Sequence, residues 1–291
     1  MMTSGKTRVC GVMAYPVEHS MSPLMHNYFA EHSGVDVTYV PFKVKPEAVG
    51  EAVGGAFALN VLGMNVTVPH KQAVMEHLVE IDEAALAIGA VNTLVRMEDG
   101  YKGYNTDAAG LLRTMQETGI QIKDQTCILL GAGGAAKAAA YVLAREGAKK
   151  VYLLNRNVER AEQLAEYMNG LFGREVLIPM ALDNWNEIPE DGCLAVQSTS
   201  VGMHPNVDAA VIEDEAFYRK LSTAFDIVYT PMETRFMKLA AEAGAKTKNG
   251  LDMLLYQGVI AFELWNPDVT VSPETIDGAR QLVMDFLAHK K

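Results

Sequence analysis

Thr126-Cys127-Ile128-Leu129-Leu130-Gly131-Ala132-Gly133-Gly134-Ala135-Ala136 is the stretch that decides the fold. Its first five residues are a short, β-favouring, largely apolar run bounded by glycine, which predicts a buried strand. The alanine-rich sequence after the glycines predicts a helix. Strand, glycine turn and helix together make the G-x-G-x-x-(G/A) pattern of a nucleotide-binding βαβ unit. Gly131 permits the tight turn, Gly133 lets backbone approach a pyrophosphate, and Ala136 lets the helix pack close on the strand. The helix start offers N–H groups and a partial positive charge to phosphates. Gly131, Ala132, Gly133, Gly134 and Ala135 are therefore candidate dinucleotide contacts.

The next strand, Val151-Tyr152-Leu153-Leu154, ends in Asn155-Arg156-Asn157, with Arg160 one turn on. Folds that bind NAD usually place Asp or Glu here to accept from the ribose 2′-hydroxyl. A carboxylate would repel a 2′-phosphate, whereas arginine binds one with a charge-assisted fork and stacks on adenine. Asn155, Arg156 and Arg160 thus point to NADP. A phosphate-binding P-loop is excluded, because Lys137 follows Ala136 and is followed by Ala138, which has no hydroxyl for magnesium.

Beyond this unit, the chain of 291 residues is 49% hydrophobic and 21% charged, ordinary for a globular protein with real cores. The net charge of −11 argues against nucleic acid or an anionic membrane as a partner. Residues 131–160 nevertheless hold six basic side chains against two acidic ones, which suits a small anionic ligand. Cys10, Cys127 and Cys193 are too scattered for a disulfide framework or a C-x-x-C metal pair, and the seven histidines are scattered too, so no metal is expected. No apolar run approaches a membrane span, and Met1–Arg8 is not followed by a signal-peptide core. The cytoplasm is the expected location.

Strand-like and helical patterns alternate throughout, which predicts an α/β fold with mostly parallel sheets. Strands are expected at Arg8–Ala14, Thr38–Val44, Gly63–Val68, Lys150–Leu154, Cys193–Gln197 and Ala224–Tyr229. Helices are expected around Pro23–Ser33, Pro46–Phe57, Lys71–Leu78 and Asp82–Ile88, and from a cap at Asp107 to about Thr118. The segment from Gly250 onward reads as mainly helical.

Upstream of the glycine turn, polar residues fall into four clusters between apolar runs. They are His19-Ser20-Met21-Ser22-Pro23, Asn65-Val66-Thr67-Val68-Pro69-His70-Lys71, Gly89-Ala90-Val91-Asn92-Thr93 and Gly103-Tyr104-Asn105-Thr106-Asp107. Singly, each has a plain structural reading: Ser20 and Ser22 as helix caps, Lys71 as a surface lysine, Asn92 as a turn residue, Asp107 as a cap.

In order along the chain, H-S-x-S-P, N-V-T-x-P-x-K, G-A-x-N-T, G-x-N-T-D, G-A-G-G-A, N-R-x-x-x-R, Tyr229-Thr230-Pro231 and the G-x-x-M-L-x-x-Q of Gly250–Gln257 closely resemble the shikimate dehydrogenase family and its quinate/shikimate relatives. The resemblance runs from about residue 8 to 265. It implies an N-terminal α/β substrate domain (1–106 with 250–291), a Rossmann-type NADP-binding domain (107–249), and C-terminal helices that return to the first domain. It also implies that Ser20 and Ser22 bind the carboxylate of shikimate or 3-dehydroshikimate, and that Thr67, Asn92, Asp107 and Gln257 bind ring hydroxyls, with Tyr229 nearby. Lys71 and Asp107 become the catalytic pair. Glu83, Ile227 and Gly250 line the cofactor side. Ketone reduction needs a proton for the developing alkoxide, and an ammonium held by a carboxylate suits that need.

Three departures stand out. Ala108 follows N-T-D where glycine is common. Asn157 replaces the threonine of N-R-T, which weakens the expectation of strict NADP use. Gln197-Ser198-Thr199-Ser200 stands where N-A-T-S is usual. A quinate/shikimate dehydrogenase with looser substrate and cofactor choice is the alternative, since Met13-Ala14-Tyr15-Pro16 resembles that relative. A regulatory module without turnover is a remote one, since a sensor needs neither Lys71 nor Asp107. Sequence leaves monomer or homodimer open.

Overall fold

The structure, a computed structural model, describes residues 3–289. In chain order its first part holds β1 (Arg8–Ala14), α1 (Ser22–His32), β2 (Val37–Lys43), α2 (Val49–Ala58), β3 (Gly63–Val66), β4 (Glu80–Ile81), α3 (Glu83–Ile88), β5 (Thr93–Arg96), β6 (Tyr101–Tyr104) and α4 (Thr106–Glu117). The rest holds β7 (Thr126–Leu130), α5 (Gly134–Arg145), β8 (Lys150–Asn155), α6 (Val158–Phe172), β9 (Leu177–Ala181), β10 (Cys193–Gln197), α7 (Glu215–Tyr218), β11 (Leu221–Asp226), α8 (Arg235–Glu242), β12 (Lys246–Lys248), α9 (Leu251–Trp265) and α10 (Pro273–His289). The chain divides into two compact units: residues up to Gly110 with those from Leu255 onward, and Leu111–Leu254.

The first unit is built on a six-stranded sheet of order β2-β1-β3-β5-β6-β4. Strands β2, β1 and β3 are parallel, but β5 runs antiparallel to both β3 and β6. Strand β4 pairs parallel with β6, so five of the six strands run one way and the expectation of a mostly parallel sheet holds, with β5 the reversed strand. The Glu98-Asp99-Gly100 turn makes β5 and β6 a hairpin, and a hairpin forces antiparallel pairing. Met13, Val66, Leu94 and Tyr101 form its core with the apolar face of α2. The C-terminal helices pack within this unit. Trp265 at the end of α9 donates to the Leu94 carbonyl at 2.8 Å. On α10, a side chain at Gly278 would collide with the Tyr28 hydroxyl of α1.

The second unit carries a six-stranded, wholly parallel sheet of order β12-β11-β10-β7-β8-β9. This is the doubly wound order in which the chain reverses direction across the sheet at β7 and β10. Its central strands β7 and β10 are apolar except for Thr126 and Gln197 at their ends, as suits strands covered on both faces. Ala136, Ala138, Ala139 and Ala140 are buried, so α5 lies close to the sheet.

Local departures from expectation have physical causes. The Lys71–Leu78 segment forms only a short 3-10 turn at Ala73–His77. Asp107 does not cap α4. The Asn105 side chain accepts from Ala108 N at 3.1 Å instead, which leaves the Asp107 carboxylate free to point elsewhere. Neither Ser20 nor Ser22 caps α1, whose N-cap position is Met21. Strand β11 stops at Asp226 rather than running to Tyr229.

Candidate functional site

In the first unit, three of the four polar clusters close on one another through the sheet. Val66 N bonds to the Asn92 carbonyl at 2.8 Å, and Val91 N to the Lys71 carbonyl at 2.8 Å. Asn92 N reaches the Tyr104 carbonyl at 2.9 Å. These ladder ends place Thr67, Lys71, Asn92 and Asp107 at one end of the sheet. There the Lys71 ammonium donates to Asp107 Oδ2 at 2.5 Å, with both side chains about three-quarters buried.

Behind that pair lies a buried polar network. Asn92 Oδ1 accepts from Thr106 N at 2.7 Å, and its amide donates to the Thr106 hydroxyl at 3.0 Å. Asn65 donates to the Thr93 hydroxyl at 3.1 Å and accepts from the Tyr39 hydroxyl at 2.7 Å. Every member is buried, so these bonds are made in low dielectric and hold the backbone around Asp107 firmly. His70 is buried. Its Nε2 donates to the Val44 carbonyl at 2.8 Å, which ties the turn carrying Lys71 to the end of β2.

The first cluster enters the same unit from α1. Ser20 Oγ accepts from Ser22 N at 3.3 Å, and both serines are partly exposed. The Ser22 side chain lies beside the Tyr39 phenol, whose pKa burial drives well above its ordinary value. One turn beyond Ser22, His26 is buried and stacked on Tyr39 at 4.3 Å, and burial pushes its pKa down to about 3. Gln257 is buried on α9 in this unit, and Glu83 is exposed at the first position of α3.

In the second unit, the glycine turn opens a cavity of about 430 Å³. It is lined by Gly131, Ala132, Gly133, Asn155, Arg156 and Arg160, by Ser198–Val201 after β10, and by Leu182, Ala210 and Val211. No carboxylate lines it. Gly131 has φ +109°, and a Cβ there would sit 2.9 Å from Ser198 Oγ and Thr199 Cγ2, so the turn needs glycine. A Cβ at Gly133 would meet nothing within 4 Å, which leaves backbone open to a ligand. Gly134 and Ala135 begin α5 behind the turn. The Asn157 side chain is spent on capping α6, accepting from Arg160 N at 2.8 Å. Ile227 and Gly250 meet directly, since a Cβ on Gly250 would lie 1.9 Å from the Ile227 carbonyl oxygen. Tyr229 follows on the same segment, and burial raises its phenol pKa.

Sequence reasoning missed the support behind the Lys71–Asp107 pair. Tyr39, Asn65, Thr93 and Thr106 were quoted at most as motif members, although N-V-T and N-T at strand ends were a usable signal. It also missed Ser198 and Thr199, which follow the strand beside β7 where such sheets bind ligands. Leu182 and Val211 carried no signal.

Family models match residues 12–94 as a shikimate dehydrogenase substrate-binding domain, 113–214 as shikimate/quinate 5-dehydrogenase, and 250–276 as a shikimate 5′-dehydrogenase C-terminal domain. The NADP(+) shikimate dehydrogenase of Desulforamulus reducens is 44% identical over 264 residues, covering 90% of this chain and 91% of that one. The chain belongs to the shikimate dehydrogenase family. The family enzyme of Methanocaldococcus jannaschii, also named for NADP(+), is 41% identical over 284 residues, covering 94% and 98%. A crystal structure of a shikimate dehydrogenase in complex with NADP+ superposes with a TM-score of 0.89 at 37% identity, covering 98% of each chain. Membership makes the chain an oxidoreductase acting on a CH–OH group. Among the described residues no helix is long and apolar enough to cross a membrane.

Proposed function

We propose that the chain is an NADP-dependent shikimate dehydrogenase, which reversibly reduces 3-dehydroshikimate to shikimate in chorismate and aromatic amino-acid biosynthesis. The observation that carries the reading is the Lys71–Asp107 pair, held at 2.5 Å beside a buried polar network that fixes the backbone around Asp107. Residues 1–106 with 250–291 hold the substrate, and 107–249 hold the cofactor.

The residues present fit the cofactor. The open backbone at Gly133 and the start of α5 suit the pyrophosphate. Arg156 and Arg160, on a cavity wall without carboxylates, suit a 2′-phosphate. Bound NADPH supplies the hydride that reduces the ring ketone. Lys71 stabilises the oxygen that gains negative charge and delivers its proton. Asp107 holds the ammonium in place and accepts from a neighbouring ring hydroxyl. In the reverse direction Lys71 takes the proton back. Ser20 and Ser22 donate to the substrate carboxylate; Thr67, Asn92, Gln257 and Tyr229 bond to ring hydroxyls. Ile227, Gly250 and Glu83 would line the cofactor side. We place the enzyme in the cytoplasm, where its three buried free cysteines suit a reducing environment.

The test is turnover of shikimate and of quinate, each with NADP+ and NAD+, on wild type and Arg156→Ala. Shikimate with NADP+ gives the highest kcat/KM. A charge-assisted hydrogen bond is worth about 1.5–3 kcal/mol, so Arg156→Ala lowers efficiency with NADP+ about tenfold or more and leaves NAD+ nearly unchanged. Higher efficiency with NAD+ in wild type overturns the cofactor assignment, and higher efficiency with quinate overturns the substrate assignment.

A further inference from the structure

One buried charge in the second unit has no part in the chemistry above. Asp226 ends β11, is fully buried, and meets only neutral donors. Its Oδ1 accepts from Val228 N at 2.9 Å and from Gln197 Nε2 at 3.2 Å. Its Oδ2 accepts from the Thr234 hydroxyl at 2.6 Å. Gln197 and Thr234 are fully buried as well. A carboxylate in such a place is costly unless every lone pair is engaged, and an apolar residue would fill the space at lower cost. Burial raises its pKa to about 6, the direction such a cost gives.

Gln197 links this carboxylate to the cavity. Its amide also donates to the carbonyls of Thr199 and Val201, each at 3.2 Å, and its Oε1 accepts from Thr199 N. The side chain thereby folds the loop after β10 around itself. Thr199 and Val201 line the cavity. The intervening Ser198 donates to the Leu130 carbonyl at 2.6 Å, at the last residue before the glycine turn, and packs against Gly131 where no side chain could fit. From the other side, Ile227 N bonds to the Gln197 carbonyl at 2.9 Å, and Thr234 caps α8 through Met237 N at 3.3 Å. Asp226 is thus joined to the loops that leave two adjacent parallel strands, at the sheet end where ligands bind.

We infer that Gln197, Asp226 and Thr234 form a buried positioning hub that sets the Ser198–Val201 wall against the glycine turn and so tunes the affinity of the second unit for NADP. The Gln197 side chain is long enough to reach Asp226 while still bonding its own loop. The inference rests on the reading of this cavity as the NADP site.

The experiment is calorimetric titration of NADP+, and separately of shikimate, into wild type, Gln197→Ala, Gln197→Asn, Asp226→Ala and Asp226→Asn, with kcat and KM measured alongside. Gln197→Ala and Asp226→Ala weaken NADP+ about tenfold or more, from loss of one to two buried hydrogen bonds, and raise its KM more than they lower kcat. Shikimate affinity stays within about twofold. Asp226→Asn recovers NADP+ affinity to within about threefold, because its oxygen still serves Gln197 and Val228 while its amide can donate to Thr234. Should Asp226→Ala not fold, Gln197→Ala decides, with Gln197→Asn, whose shorter amide cannot reach both Asp226 and its own loop, expected to weaken NADP+ in the same direction. NADP+ affinity within twofold of wild type in folded Gln197→Ala overturns the inference, as does equal weakening of both ligands. Wild type that binds no NADP+ overturns the cofactor reading itself, and this inference with it.

Discussion

The two units build their sites from opposite materials. In the first, side chains do the work: an ammonium, a carboxylate, asparagines and threonines, all fixed by hydrogen bonds between strand ends. In the second, the backbone does most of it: a glycine turn, a helix start and the loops after two parallel strands, with two arginines at the rim. The contrast follows from the ligands each suits. A small polyhydroxylated ring must be held by several directed donors and acceptors, and its ketone needs a proton. A dinucleotide offers phosphates that backbone N–H groups and a helix dipole can hold without any particular side chain. A side-chain site should lose function to one truncation, whereas a backbone site should yield only where a new Cβ or a lost charge reshapes it.

The sharpest break between the units is Lys71→Ala. Removing a general acid costs about 10²–10⁴-fold in rate, so kcat should fall by that much while calorimetry finds NADP+ affinity within about twofold of wild type. Near-normal turnover would remove Lys71 from the centre of the mechanism.

A stability measurement probes Asp226, a buried charge that departs from the backbone pattern of the second unit. The folded-state pKa of Asp226 is raised from 3.8 to about 6, so the folded protein favours its neutral form. Its stabilising contribution is complete below about pH 4 and is lost as pH rises through about 6. Two pKa units correspond to about 3 kcal/mol. Urea unfolding of wild type and Asp226→Asn from pH 4 to pH 8 should show the variant gaining on wild type by up to about that amount across the interval. A constant difference would mean that the carboxyl titrates normally.

Gly131→Ala tests the backbone site directly. At φ +109°, with Ser198 and Thr199 in the way, alanine strains the turn by about 1–3 kcal/mol. NADP+ affinity should drop about fivefold to a hundredfold, while shikimate binding stays unchanged. Weakened shikimate binding would show that the sites are not independent in this respect.

Legibility in the sequence followed the same division. The nucleotide unit was readable because its turn demands residues that nothing else explains: Gly131 for its φ, Ala136 for close packing. The candidate catalytic residues were readable as motif clusters, yet their partnership was not, since Lys71 and Asp107 meet only through sheet pairing of Val66, Val91 and Asn92. The capping of α4 was misassigned because Asn105 and Asp107 are equally good caps in isolation, and the lysine across the sheet decides between them. The hairpin that makes the first sheet mixed was visible as a turn, but not its consequence for strand direction.

The smallest effect is expected at Asn157, where the sequence departs from the family's threonine. Its side chain accepts from Arg160 N and so caps α6. A residue engaged in that bond contributes to the cofactor only through where it puts Arg160. Asn157→Ala should therefore lower stability by about 1 kcal/mol, read as a shift of the urea midpoint, and move NADP+ affinity by less than about threefold. Asn157→Thr keeps a good capping oxygen, so stability should stay within about 0.5 kcal/mol of wild type. Were Asn157→Thr to tighten NADP+ tenfold without changing stability, position 157 would be a phosphate contact in its own right. The backbone site would then owe more to side chains than its architecture indicates.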